Sequence, residues 1–127
     1  MALKGKNLKS KNIFHSFKYA FSGLKYGFIN TKNLHIDFFF ILAVIICGFL
    51  FKVCYIEWII LILCIGIVVS LELINTAIES VVDLASPDVH PLAKASKDVA
   101  AGAVLFSAII SAIVGIIIFL PKFIDLF

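Results

Sequence analysis

The stretch Val99–Leu120, VAAGAVLFSAIISAIVGIIIFL, runs for 22 residues without a charge. A helix needs about 20 apolar residues to cross a hydrocarbon core of roughly 30 Å, so this run by itself predicts a transmembrane helix. Two upstream stretches have the same character. One covers about 36–53 and carries one early acid, Asp37; the other covers about 56–75, with Glu57 at its start and Glu72 near its end. Helices satisfy their own backbone polar groups in lipid, so all three runs are viable spans. The expected fold is an all-α integral membrane protein with three transmembrane helices.

Composition excludes the soluble alternatives. The 127 residues make one domain, 1–127, of which 62% is hydrophobic and 15% charged, with a mean hydropathy of +1.12. Soluble domains run near 45–50% apolar and about 25% charged, and a chain this small has too little interior to hide the excess. Disordered chains are poor in large apolar residues, so disorder is excluded as well. Cys47, Cys54 and Cys64 lack CxxC spacing and sit in or beside apolar runs, which argues against a disulfide framework or zinc site.

The basic residues are all lysines, and their distribution predicts topology. Lys4, Lys6, Lys9, Lys11, Lys18, Lys25 and Lys32 precede the first span, and Lys94 and Lys97 lie in the second loop; Lys52 and Lys122 fall on the other side. Nine against two places the N-terminus in the cytoplasm and the C-terminus outside the plasma membrane. Residues 12–30 lack the uninterrupted apolar core and cleavage site of a signal peptide. Phe14, Phe17, Phe21, Leu24 and Phe28 instead recur at spacings of 3, 4, 3 and 4, with Lys11, His15, Lys18, Ser22 and Lys25 in the complementary phase. This predicts an amphipathic interfacial helix over about 12–30, or one that packs on the bundle.

The second apolar run ends SLELINTAIESVVD, Ser70–Asp83. Glu72, Asn75, Glu79 and Asp83, spaced 3, 4 and 4, fall within one helical arc of roughly 80°. Acids emerging into water account for Asp83 well and for Glu79 in part, but not for Glu72, which has apolar residues on both sides. Ionisable groups at membrane depth are costly and face a bundle interior or wet cavity. Such a stripe suits a divalent cation or a general base. The following loop brings Lys97-Asp98 just before the third span, expected on a first helical turn; the lysine can meet phosphate as a point charge, and the aspartate can cap the helix. A P-loop is absent, and His15, His35 and His90 lack metal-ligand spacing. Ala103, Ser107, Ser111 and Gly115 form a small-residue face every four residues on the third span, suited either to close helix contact or to no special role.

Taken together, Glu72-Leu-Ile-Asn75-Thr-Ala-Ile-Glu79-Ser-Val-Val-Asp83, His90-Pro-Leu-Ala and Ala-Ser-Lys97-Asp98-Val-Ala-Ala-Gly-Ala-Val resemble the prokaryotic diacylglycerol kinase family over about residues 14–123. Ile-Cys-Gly-Phe at 46–49, Ile-Glu-Trp at 56–58 and His-Pro-Leu-Ala-Lys at 90–94 look most like its undecaprenol kinases of Gram-positive bacteria. The resemblance implies a homotrimer of three-span subunits with a surface helix, and transfer of the γ-phosphate of MgATP to a lipid hydroxyl at the cytoplasmic interface. It implies Glu72 as general base, Glu79 as a magnesium and nucleotide ligand, and Asn75, Lys97 and Asp98 as nucleotide-binding. Asp83 and His90 match motif positions with no firm role. No nucleic-acid partner is implied.

The chain departs from the family at one position. Where the family carries a second metal-binding glutamate, this sequence has Thr31, within Asn30-Thr31-Lys32-Asn33, and the neighbouring arginine is missing; Asp37 lies two turns further on. Phosphoryl transfer needs charge neutralisation and a positioned nucleophile, with little covalent participation by protein. Magnesium, Lys97 and Glu72 would supply these. The expectation is a membrane lipid kinase acting on undecaprenol. Diacylglycerol is the alternative substrate, a catalytically impaired homologue the alternative on account of Thr31, and a small pore the disfavoured alternative, since the acids cluster at one end.

Overall fold

The computed structural model describes residues 5–127, with side chains from Ile13 onward, so the side chains of Lys4, Lys6, Lys9 and Lys11 lie outside the described residues. Four helices make up the described chain: α1 (Gly5–Asn30), α2 (Leu34–Leu50), α3 (Tyr55–Ala85) and α4 (Pro91–Asp125). α3 and α4 form the main packed pair, and α1 and α2 touch α3 more sparingly. α3 and α4 are each long and apolar enough to cross a membrane, and a third crossing is present if the bent pair α1–α2 counts as one span. The surface helix predicted over about 12–30 lies within α1.

α1 ends because side chains take over its last carbonyls. Asn30 Nδ2 donates to Tyr26 O at 2.8 Å and Thr31 Oγ1 to Gly27 O at 2.7 Å, which offers the backbone an alternative to continuing the ladder. The chain then turns by 104° into α2.

α2 stops at Leu50, three residues short of the predicted span end at 53. Lys52 adopts a left-handed conformation, φ 53°. Lys52 N donates to Phe49 O and Val53 N to Gly48 O, the bond pattern of a Schellman cap with lysine where glycine is usual. α3 starts at once, with Glu57 Oε1 accepting from Cys54 N at 3.0 Å in a capping box. Glu57 Oε2 also pairs with Lys122 Nζ of α4 at 2.9 Å, which ties the two long helices together at this end. The core is here too: Val53, Leu61 and Ile118 are buried, with Val44, Trp58, Val114 and Phe119 against them. Gly48 is required for that packing, because a Cβ there would strike the indole ring of Trp58.

The long helices outrun the predicted spans. α3 continues to Ala85, ten residues past the expected 75. α4 begins at Pro91, so Lys97-Asp98 lies almost two turns inside the helix rather than on its first turn. The signal for that start is His90-Pro91: proline fixes φ for the first helical position and lacks only an N–H that would go unused. His90 Nδ1 accepts from Leu92 N at 3.1 Å, so His90 is the cap and Asp98 is not. At the far end α4 runs through Pro121 to Asp125, where proline costs the ladder one hydrogen bond.

The single chain exposes 9776 Å², against about 6,700 Å² for a compact soluble monomer of this mass. Its apolar surface faces outward, as a lipid-facing or subunit-facing surface must. Ser107 of the small-residue face is buried within the chain and donates to Val104 O.

Two substitutions test this end of the fold. Lys52→Gly removes a left-handed strain of about 1 kcal/mol and should raise the thermal midpoint in detergent, whereas Lys52→Val should lower it. Gly48→Ala should lower the midpoint, since overpacking against a rigid ring costs about 1–3 kcal/mol.

Candidate functional site

The stripe lies on the half of α3 away from that core. A 31-residue helix is about 46 Å long, so α3 exceeds a bilayer core of roughly 30 Å by several turns. Counting about 20 residues from Tyr55 puts Glu72 and Asn75 at the boundary of the core, with Glu79 and Asp83 on the projecting turns.

Other elements meet each of these residues. Asp37, in the first turn of α2, faces Glu72 carboxyl to carboxyl. Asp37 Oδ2 and Asn75 Oδ1 are buried and have no hydrogen-bond partner. Buried polar atoms are nearly always satisfied, so an unpaired pair beside a carboxylate marks a site built for something else. Lys32, on the α1–α2 turn, places Nζ 3.2 Å from Glu79 Oε2. Lys97 pairs with Asp83 at 2.5 Å, joining α4 to the end of α3. The hydrogen bond that the Lys97 ammonium donates to Asp83 holds it above its ordinary pKa, with the charges of Asp83 and Glu79 adding to it. Lys94 pairs with Asp98 at 2.6 Å along α4, and that hydrogen bond raises its pKa in the same way.

Beside the stripe, α1 and α3 enclose an apolar cleft of about 650 Å³, lined by Ala20, Gly23 and Gly27 of α1 and Leu73, Thr76 and Ala77 of α3. Thr76 Oγ1 donates to Glu72 O and Ser80 Oγ to Thr76 O, so these hydroxyls are absorbed by the helix. The geometry offers an apolar cleft between α1 and α3, a stripe of acids on the adjacent face of α3, and lysines from the α1–α2 turn and α4 paired with those acids. That suits an amphiphile with its hydroxyl at Glu72 and an anion further out.

Comparison with known proteins agrees. Residues 18–119 match the family described as prokaryotic diacylglycerol kinase. The chain belongs to the prokaryotic diacylglycerol kinase family. It is 50% identical over 109 residues to the undecaprenol kinase of Bacillus subtilis, covering 86% of this chain and 89% of that one. It is 44% identical over 116 residues to the diacylglycerol kinase of Synechocystis, covering 91% of this chain and 66% of that one. The Helicobacter pylori diacylglycerol kinase is 35% identical over 100 residues, 78% of this chain and 77% of its own. Family membership makes the chain a lipid kinase.

The residues that the family resemblance singles out are brought together in part. Glu72, Asn75, Glu79 and Asp83 share a face of α3, and Lys97 reaches it through Asp83. Asp98 turns instead to Lys94, and His90 is spent on capping α4. Thr31 sits beside the site, but its hydroxyl hydrogen is given to Gly27 O. Asp37 faces Glu72 rather than Glu79. Among the described residues no group of three His, Cys, Asp or Glu side chains is arranged to hold a metal ion. With Lys32 already on Glu79, the donor set does not fit a magnesium ion held by the protein alone. Lys32 is the residue that the motif left without a role; its place next to Thr31 was the available signal.

If His90 is a cap, His90→Ala should cost about 1 kcal/mol of stability while nucleotide affinity is kept, and His90→Asn should restore it. Thermal unfolding and nucleotide titration of the two variants check this.

Proposed function

We propose that this kinase transfers the γ-phosphate of ATP to the terminal hydroxyl of undecaprenol at the cytoplasmic face of the bacterial plasma membrane. The observation that carries this is an apolar cleft between α1 and α3 lying beside the acidic stripe of α3, with Lys32 of the α1–α2 turn and Lys97 of α4 paired to acids of that stripe. The relative with 50% identity named as an undecaprenol kinase favours that substrate. Diacylglycerol is the second reading, favoured by the relatives that carry that name. Both lipids present a primary hydroxyl at the same depth.

In this reading Glu72 accepts the proton of the lipid hydroxyl as its oxygen attacks the γ-phosphorus. The bond from phosphorus to the β–γ bridging oxygen breaks, and ADP leaves. Glu79 would be the acid facing the magnesium of MgATP, whose charge would offset that of the phosphates; Asn75, Lys97 and Asp98 would hold the nucleotide, and Asp83 positions Lys97. Thr31 fills the place of the family's second acid without its charge. Three spans, a surface helix over residues 12–30, a cytoplasmic N-terminus and an outer C-terminus complete the proposal. A homotrimer is the assembly that the family resemblance implies.

The test offers undecaprenol and diacylglycerol side by side to the purified protein with MgATP. Undecaprenol should give the higher kcat/KM. Glu72→Gln should lower kcat by about a hundredfold or more with nucleotide binding kept, and Glu79→Gln should raise the magnesium requirement or abolish turnover. Wild-type kinetics in both variants would remove the catalytic role of the stripe, and no phosphorylation of either lipid by wild type would favour an impaired homologue.

A further inference from the structure

Glu79 is mostly shielded, its side chain 22% exposed, whereas that of Lys32 is 76% exposed and reaches over to it at 3.2 Å. A carboxylate withdrawn from water needs a cation. Two carboxylates are neutralised by a divalent ion; one carboxylate is neutralised by one ammonium. Here the neighbouring side chain that could have been a second acid is Thr31, with its hydroxyl hydrogen directed back to Gly27 O. The approach of Lys32 follows from the packing of α1 on α3. Gly27 lies against the Leu73 side chain, which brings the end of α1, and the turn after it, beside the segment that carries Glu79. Lys97 and Lys94 are committed to Asp83 and Asp98.

We infer that Lys32 is the standing counter-cation of Glu79, in place of a protein-held divalent ion, and that a divalent ion enters this site only together with the nucleotide. The inference rests on the kinase reading of the site. Before nucleotide binds, a divalent cation at Glu79 meets a competing ammonium and only one acid. MgATP changes the balance because it carries both signs: its metal replaces the ammonium at Glu79, and its phosphates receive Lys32, a flexible point charge suited to them.

The test is Mn²⁺ titration of the full-length protein in lipid nanodiscs, read by electron paramagnetic resonance, without nucleotide and then with a non-hydrolysable ATP analogue. Wild type should bind Mn²⁺ weakly alone and readily with the analogue. Lys32→Met should tighten binding without nucleotide by about two- to fivefold, the ratio matching the up to roughly 1 kcal/mol of an exposed pair. Lys32→Gln should do the same if Met disturbs the turn, Lys32→Arg should behave as wild type, and Lys25→Met controls for loss of charge on α1. Tight Mn²⁺ binding by nucleotide-free wild type, or equal titrations for wild type and both neutral variants, would overturn the inference. Lipid phosphorylation is assayed on the same preparations. An active wild type with no Mn²⁺ difference sinks the counter-cation alone; a preserved Mn²⁺ difference without phosphorylation supports the counter-cation and counts against the kinase reading.

Discussion

A helix of 31 residues cannot lie within a hydrocarbon core of roughly 30 Å, because at 1.5 Å per residue it is half as long again. Where α3 emerges decides what every residue on its stripe can do. The capping box at Cys54 and Glu57 marks one end, so the surplus length falls at the other. In the proposed reading, Glu72 then sits where an amphiphile would keep its hydroxyl, and Glu79 and Asp83 sit where a nucleotide would keep its phosphates. A lipid kinase must join one reactant dissolved in the bilayer to another dissolved in water. A single helix crossing the boundary at the right register does this without any large movement of either.

The two ends of the bundle are held by different forces. At the core end, Val53, Leu61 and Ile118 are buried, Trp58 lies in the space left by Gly48, and the Glu57–Lys122 pair is largely sheltered. At the site end the links between helices are the Lys32–Glu79 and Lys97–Asp83 pairs, each with one partner, Lys32 and Asp83, mostly open to water. Exposed pairs are worth about 0–1 kcal/mol each. Elements that must rearrange around a ligand are drawn from the less stable parts of a structure. In the proposed reading, the end held by these weaker links is the one that would open to nucleotide.

Much of this was legible from residue patterns, and the rest was hidden for identifiable reasons. The runs at 56–75 and 99–120, the phenylalanine period of 14–28, and the arc shared by Glu72, Asn75, Glu79 and Asp83 are local, and helical periodicity exposes them. Helix ends were less legible. The α2 terminus depends on Lys52 in a left-handed conformation, for which lysine is no signal, whereas His90-Pro91 carried a readable start that the nearer Lys97-Asp98 obscured. Pairings across elements were not legible at all: Lys122 finds Glu57 across 65 residues, and Asp37 faces Glu72 rather than completing an acid pair with Glu79. The sequence did show that Thr31 lacks a carboxylate. That its neighbour would answer with an ammonium required the geometry of the turn.

Charge balance links these observations. Lysines 32, 94 and 97 are each paired with an acid at the site end, so an incoming anion must break a pair, and so must an incoming cation. Of these groups Glu79 is the most shielded, so losing Lys32 without a replacement cation is the exchange that costs most. A nucleotide without its metal, or a metal without nucleotide, therefore faces an uncompensated exchange. Under the proposed reading, the magnesium complex of ATP would satisfy the released acids and the released lysines in one event. Selectivity for the complex over either component would then follow from pairing at the site, without a second protein carboxylate beside Glu79.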